Sequence, residues 1–156
     1  MRQALLVIDV QPSFSPPDWL VRGIRSLLGS MPSVATVERH DESRTPFVRQ
    51  LGWSPATDDD SLVAADHVFI KHGYAPSPAT LECLKGMNLD RVLVCGIQTE
   101  TCVLAAGFAL FDAGLCPTLI TDLTVGSSLD RSGNLGIALW KHHFRQITST
   151  AELRQG

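Results

Sequence analysis

The chain has 156 residues, of which 44% are hydrophobic and 19% charged, and its formal net charge is -3. This length and composition predict a single domain with a substantial core over residues 1–156. The small negative charge argues against a nucleic-acid partner, which requires clustered basic side chains. No stretch approaches the roughly 20 apolar residues that span a membrane. The N-terminus also lacks the pattern of a signal peptide, so we expect a cytoplasmic protein.

The four cysteines are Cys83, Cys95, Cys102 and Cys116, and none of them belongs to a C-x-x-C pair. This spacing argues against a disulfide framework or a zinc site, so reduced thiols are expected. Cys83, Cys95 and Cys116 each lie in an apolar run and are interpreted as buried, inert side chains.

In the first half of the chain, residues 4–10 form a continuous apolar run, which is typical of a strand covered on both faces. Asp18 can cap a helix that Gly29 ends. A shorter strand is predicted at residues 34–37. Residues 39–60 contain several turn formers and are interpreted mostly as loop.

The second half continues the alternation of strands and helices. A strand is predicted at residues 67–71, and Ser77 followed by Pro78 predicts the start of a helix. Three further strands are predicted at residues 92–95, 116–120 and 146–148, and two further helices at residues 101–113 and 134–143.

This order of elements predicts an α/β fold, a three-layer α/β/α sandwich around a mostly parallel, Rossmann-like sheet of about six strands. Ligands of such sheets bind beyond the carboxyl ends of the strands. Asp9 and Lys71 end two of the predicted strands. Taken alone, Asp9 is equally well a structural carboxylate, and Lys71 alone is typical of a surface charge.

Cys102 lies in the first turn of the helix predicted at residues 101–113. Free backbone N–H groups and the helix dipole favour a thiolate in such a turn, and a nearby Lys lowers the thiol pKa further. Cys102 is therefore a candidate nucleophile.

Three segments carry a family resemblance. The run from Asp9 to Phe14 matches a D-x-Q-x-x-F motif, Lys71 ends a later strand, and the run from Gly96 to Val103 matches G-x-x-T-x-x-C-V. Together they resemble the isochorismatase-like cysteine hydrolases, a family that includes nicotinamidases and N-carbamoylsarcosine amidase. The resemblance extends over nearly the whole chain.

The resemblance implies a catalytic triad in which Asp9 takes the thiol proton of Cys102 and Lys71 stabilises the thiolate. It also implies a cis peptide between Ile97 and Gln98, and an oxyanion hole formed by the backbone N–H groups of Gln98 and Cys102. The implied reaction is hydrolysis of a small amide, imide or ester through a thioester intermediate. We expect an enzyme of the amidase type.

Aromatic side chains near these segments predict an apolar substrate pocket. Phe14, Trp53 and Tyr74 are the candidate wall residues, and Gln11 and Ile97 are further pocket candidates. For Trp53, ordinary packing explains the residue equally well.

Nicotinamidases of this family bind a metal through an Asp-x-His pair and a further His after the second strand. Here that region carries Glu38, His40 and Glu42 and no further His nearby, so we interpret it as a solvated charged turn. We expect no metal, which argues against nicotinamide as the substrate. No phosphate-binding glycine motif occurs either, so we expect no cofactor.

Two other functions are consistent with the sequence. One is a member of the same fold that binds a metabolite or protein without hydrolysis, and the other is a thiol redox sensor based on Cys102. Similar proteins are commonly oligomeric, so besides a small-molecule substrate we expect a homo-oligomer, dimer or tetramer, and no membrane partner.

Overall fold

The computed structural model describes residues 1–156 and contains one six-stranded, all-parallel sheet with the order β3-β2-β1-β4-β5-β6. Strand order reverses between the neighbours β1 and β4, the kind of position where ligands bind in such sheets. The strands are β1 (Gln3–Ile8), β2 (Ser33–Glu38), β3 (His67–Lys71), β4 (Arg91–Ile97), β5 (Pro117–Val125) and β6 (Ile147–Thr148).

Six α-helices connect or follow these strands. They are α1 (Asp18–Arg25), α2 (Phe47–Leu51), α3 (Pro78–Lys85), α4 (Leu104–Asp112), α5 (Asn134–Phe144) and α6 (Thr150–Gln155). No helix has the length and apolar character that crossing a membrane would require.

Alternating side chains of β1 enter two separate cores. Leu5 and Val7 pack with α1 on one face of the sheet, whereas Leu6 and Ile8 pack with α3, α4 and α5 on the other. Both faces of β1 are therefore dry, which explains its uninterrupted apolar sequence. The predicted three-layer sandwich is confirmed.

The strand at residues 67–71 and the helix cap at Ser77 are confirmed, and the Ser77 hydroxyl accepts a hydrogen bond from the N–H of Thr80 at 3.2 Å. The loop predicted at residues 39–60 also contains α2. Helix α6 was not predicted, and it is capped by Ser149, whose hydroxyl accepts from the N–H of Glu152 at 3.2 Å.

The cysteines differ in exposure from the prediction. Cys95 is buried as expected, but Cys83 is only partly buried and Cys116 is exposed. Cys116 has a positive φ of 49° at the turn before β5, and this turn carries its side chain out of the apolar run. The interpretation of Cys116 as a buried residue is therefore wrong.

Candidate active site

Three ionisable side chains meet at the carboxyl ends of neighbouring strands. Asp9 directly follows β1, while Glu38 and Lys71 are the last residues of β2 and β3 and pair in register. Parallel strands that end at the same height bring these side chains together. Each of the three residues is at most 2% exposed.

The Lys71 ammonium is the centre of this group. Its Nζ lies 2.9 Å from Asp9 Oδ2 and 3.1 Å from Glu38 Oε2. It also donates hydrogen bonds to the carbonyls of Gly73 at 2.7 Å and Tyr74 at 3.1 Å. Burial opposes the charged form, but Asp9, Cys102 and Glu38 raise the pKa of Lys71 above its usual range. Lys71 is therefore a fixed cation and not a surface charge.

Asp9 is held in place by its neighbour on β2. The Thr36 hydroxyl donates to Asp9 Oδ1 at 2.7 Å, and Asp9 has a left-handed backbone with a φ of 51°. Burial raises the pKa of the Asp9 carboxyl, whereas the Lys71 charge lowers it. A carboxylate with a raised pKa is a stronger base than one in water, so Asp9 is suited to accept a proton.

Cys102 lies in a π-helical turn formed by Thr99–Val103, which we call the cysteine turn, immediately before α4. Its thiol lies close enough to Lys71 and Asp9 for both side chains to shift its pKa. Burial and the negative charge of Asp9 raise the pKa of Cys102 to about 12, although Lys71 opposes them. The sequence predicted a lowered thiol pKa, and the difference arises because burial outweighs the lysine.

The cysteine turn is fixed from several sides. The peptide between Ile97 and Gln98 is cis, as the resemblance implied. The Gln98 carbonyl accepts from the N–H groups of Thr101 at 3.0 Å and Val103 at 3.2 Å, and so skips the intervening N–H of Cys102.

Glycine permits the close approach of strands below this turn. Gly96 has a φ of 116°, and an added Cβ would lie 2.3 Å from the carbonyl oxygen of Ile8. Only glycine fits between β1 and β4 at this point, which explains the first residue of the G-x-x-T-x-x-C-V motif.

A cavity of about 80 Å³ lies against Cys102. Aromatic side chains form much of its wall, and Phe47 contacts both Trp53 and Tyr74 at ring-centroid distances of 5.7 and 5.8 Å. The lining residues are Phe14, Glu38, Phe47, Trp53, Pro55, Gly73, Tyr74, Gln98, Thr101 and Cys102. The structure thus places Phe14, Trp53 and Tyr74 on the wall, together with Phe47, which the sequence did not single out.

Gln11 and Ile97 do not line this cavity. Ile97 is 1% exposed and packs in the core on the α1 side of the sheet. The side chain of Gln11 is fully buried and bonds to the backbone of Glu38, with its Oε1 accepting at 2.8 Å and its Nε2 donating at 2.9 Å. Gln11 therefore supports the wall without reaching the space inside it.

The sequence did not predict that Glu38 lines the pocket, because it was interpreted as part of the charged turn that follows β2. Glu38 is instead the last residue of β2, just as Lys71 is the last residue of β3. That shared strand-end position was the available signal. Burial raises the pKa of Glu38 to about 7, against the lowering effect of Lys71.

The residues after β2 do not fit a metal site. His40 Nε2 pairs with Glu42 Oε1 at 2.9 Å, and Glu38 is paired with Lys71. No group of three or more His, Cys, Asp or Glu side chains is arranged to hold an ion. The His40 side chain is only 9% exposed and packs edge-on against Phe47, so the turn is less solvated than predicted.

A buried Asp–Lys pair thus lies beside a cysteine at the strand ends of a parallel α/β sheet. The chain belongs to the isochorismatase family, because the Isochorismatase domain model matches residues 3–152. Among curated proteins, none matches this chain in sequence.

Solved structures of low sequence identity share the fold. An isochorismatase-like hydrolase from Alkaliphilus metalliredigens has a TM-score of 0.83 at 15% identity, covering 99% of this chain and 98% of its own. N-carbamoylsarcosine amidase from Thermoplasma acidophilum has a TM-score of 0.78 at 19% identity, covering 96% of each chain. Pyrazinamidase of Pyrococcus horikoshii, in complex with zinc, has a TM-score of 0.77 at 22% identity, covering 96% of this chain and 99% of its own. Amidases are thus among the chains of this fold.

Proposed function

We propose that this protein is a cysteine-dependent hydrolase of small amides, with Cys102 as the nucleophile, Asp9 as the base and Lys71 as the stabilising cation. The proximity of the Cys102 thiol, on the cavity wall, to the buried Asp9–Lys71 ion pair carries the proposal. Amidases among the structural neighbours support an amide in preference to the other substrates of this family.

The reaction begins with a protonated thiol, in keeping with the raised pKa of Cys102. Asp9 accepts the thiol proton as the sulfur attacks the substrate carbonyl carbon, and the carbonyl π pair moves to the oxygen. The backbone N–H groups of Gln98 and Cys102 donate to that oxyanion. Collapse of the intermediate breaks the C–N bond, and Asp9 returns the proton to the leaving nitrogen.

Water completes the cycle. Asp9 accepts a proton from a water molecule that attacks the thioester carbonyl. Collapse of this second intermediate breaks the C–S bond and releases the acid product, and Asp9 returns the proton to the Cys102 sulfur. Lys71 remains protonated throughout, because neighbouring anions raise its pKa. Its charge stabilises the sulfur in both the attack and the release.

The cavity restricts the acyl group. Its volume of about 80 Å³ and its aromatic walls favour a small, flat group held between rings. Small planar carboxamides are therefore the first substrates to examine, together with short aliphatic amides that fill the same space.

The test is a panel of small carboxamides, with ammonia release measured for the unsubstituted protein, Cys102→Ser and Cys116→Ser. We expect hydrolysis of at least one planar amide, a loss of roughly a thousandfold or more in Cys102→Ser, and no loss in Cys116→Ser. The exposed Cys116 is the matched control because its removal changes a thiol outside the cavity. Absence of turnover over the panel, or equal activity in Cys102→Ser, would contradict the proposal.

A redox sensor is the weaker alternative. Sulfenic acid formation follows thiolate character and exposure, whereas Cys102 is partly buried and its pKa is raised to about 12. If no carboxamide of the panel is hydrolysed, a protein of this fold that binds a metabolite or protein without hydrolysis becomes the favoured alternative.

A further inference from the structure

The Glu38 carboxyl group is buried at the wall of the cavity without a full set of partners. Its side chain is only 3% exposed; Oε1 has no polar partner, and Oε2 has only the Lys71 ammonium at 3.1 Å. It lines the same cavity as Cys102. A buried carboxylate oxygen without a donor is costly, so its presence at this wall requires an explanation.

Lys71 does not supply the missing partner. An ammonium has three N–H donors. Around Lys71 Nζ lie four acceptor groups: the Gly73 and Tyr74 carbonyls and the carboxylates of Asp9 and Glu38. Two of the three donors serve the carbonyls, so Glu38 and Asp9 compete for the remaining one, and only Oε2 of Glu38 approaches the ammonium.

The other wall residues do not satisfy the carboxylate either. No Lys, Arg or His lines the cavity. When both carboxyl groups are ionised, Asp9, Glu38 and the one ammonium leave one net negative charge beside a neutral thiol. A substrate that brings an N–H donor to this wall offsets both the missing hydrogen bond and the excess charge.

The position of Glu38 is set independently of its carboxyl group. The Gln11 side chain clamps the backbone N–H and carbonyl of Glu38 from behind, at 2.8 and 2.9 Å. Because this clamp holds the backbone, the carboxyl is presented to the cavity in a fixed place before any ligand arrives. Replacement of the side chain leaves the clamp intact.

From these contacts we propose that Glu38 is a specificity residue that accepts a hydrogen bond from an N–H donor on the acyl part of the substrate. The inference rests on the proposed function and names its substrate class: small planar amides whose acyl group itself carries an N–H. Amides of the same shape that carry an oxygen acceptor instead of the N–H should bind more weakly. Their oxygen would face the Glu38 carboxylate oxygen with no proton between the two acceptors.

The test compares pyrrole-2-carboxamide with furan-2-carboxamide, which have the same shape but differ in the ring N–H. Dissociation constants are measured by calorimetry in Cys102→Ala, so that binding is separated from turnover, and at pH 8, where Glu38 is mostly ionised. We expect the pyrrole to bind roughly tenfold or more tightly than the furan, the range of a hydrogen bond to a charged group. Adding Glu38→Gln should abolish most of that preference, whereas Asp58→Asn, at an exposed acid off the wall, should retain it.

Equal binding of the two amides, no binding of either at millimolar concentration, or a preference that survives Glu38→Gln would overturn the inference. The comparison in Cys102→Ala does not depend on whether the Glu38 variant folds. This result is distinguishable from failure of the proposed function, which ammonia release measures. A preference that depends on Glu38, without ammonia release by the unsubstituted protein, would contradict hydrolysis but support the binding role of Glu38.

Discussion

Glu38 and Asp9 differ in what surrounds them, although both are carboxylates on the same lysine. Asp9 accepts a hydrogen bond from the Thr36 hydroxyl, whereas Glu38 Oε1 has no polar partner and Oε2 has only its ion pair with Lys71. Burial raises the pKa of both groups. The site therefore places Glu38, whose pKa lies near neutrality, beside the proposed base. The free energy of unfolding should then change with pH as Glu38 titrates.

We predict that stability falls as pH rises between about 5 and 8. The pKa of Glu38 is 4.5 in the unfolded chain and about 7 in the folded protein. Between these two values the folded protein therefore binds more protons than the unfolded chain. The stabilisation is complete below the unfolded pKa and is lost as pH rises through the folded pKa, by roughly 2 kcal/mol. Urea titrations at pH 5 and pH 8 measure this difference.

Glu38→Gln is the control for that titration. The substitution keeps the shape and removes the proton, so the fall in stability with pH should become shallower. The raised pKa of Asp9 leaves a remaining slope of the same sign. A parent protein that becomes more stable between pH 5 and pH 8 would contradict the assignment.

Helix α5 and strand β5 both contact the cysteine turn and fix its position in the fold. Gly136 on α5 lies so close to the turn that an added Cβ would be 2.5 Å from Thr99 Cγ2 and 2.7 Å from the Glu100 backbone nitrogen. The Thr99 and Thr124 hydroxyls share a hydrogen bond at 2.6 Å, and Thr124 donates to the Gly96 carbonyl at 3.0 Å. These contacts fix the backbone around Cys102.

We predict that Gly136→Ala lowers both stability and activity, because the methyl group displaces the backbone of the cysteine turn. The expected loss is about 1–3 kcal/mol in the free energy of unfolding and roughly tenfold to a hundredfold in kcat. Urea unfolding and amide hydrolysis measure the two effects.

Gly86→Ala at the C-terminal end of α3 is the matched control. There the added Cβ would meet the Glu82 and Cys83 carbonyl oxygens at 3.5 and 3.6 Å, which is ordinary van der Waals contact. Helix propensity favours alanine by up to about 1 kcal/mol, so this variant should retain stability and activity. Equal losses in the two variants would show that the contact with the cysteine turn is not the cause.

The sequence predicted elements correctly where the hydrophobic periodicity and the turn-forming residues agreed. The strand β3 and the helix start at Ser77 are examples. It missed the extent of β5, because the polar Thr121 and Asp122 interrupt the apolar run, while the strand continues past a register shift and pairs with β4 again at Thr124 and Val125. The thiol pKa was also misjudged, since burial at a site depends on packing between distant segments. Local position in a helix gives no measure of that burial.

At the scale of the whole molecule, the outer strand β3 leaves apolar side chains in solvent. Val68 is 51% exposed and Ile70 is 43% exposed on an edge strand of the sheet. Exposed apolar side chains at a sheet edge are typical of surfaces that associate. They agree with the oligomer that the family resemblance implies.

We predict a dimer or tetramer of the 16.9 kDa chain at micromolar concentration, measured by sedimentation equilibrium. Ile70→Lys should weaken the assembly if β3 lies within the interface, and Leu129→Lys, at a residue 76% exposed elsewhere, is its control. A monomer at all concentrations would contradict the prediction.

The central claim is that Cys102 carries the acyl group during turnover. The most direct measurement is rapid-quench mass spectrometry with 4-nitrophenyl acetate in a Cys116→Ser background, which removes the exposed thiol. We predict an acetyl adduct that maps to Cys102, forms and decays with turnover, and forms far more slowly in Asp9→Asn. An adduct on another residue, or none at all while ester is hydrolysed, would contradict the account.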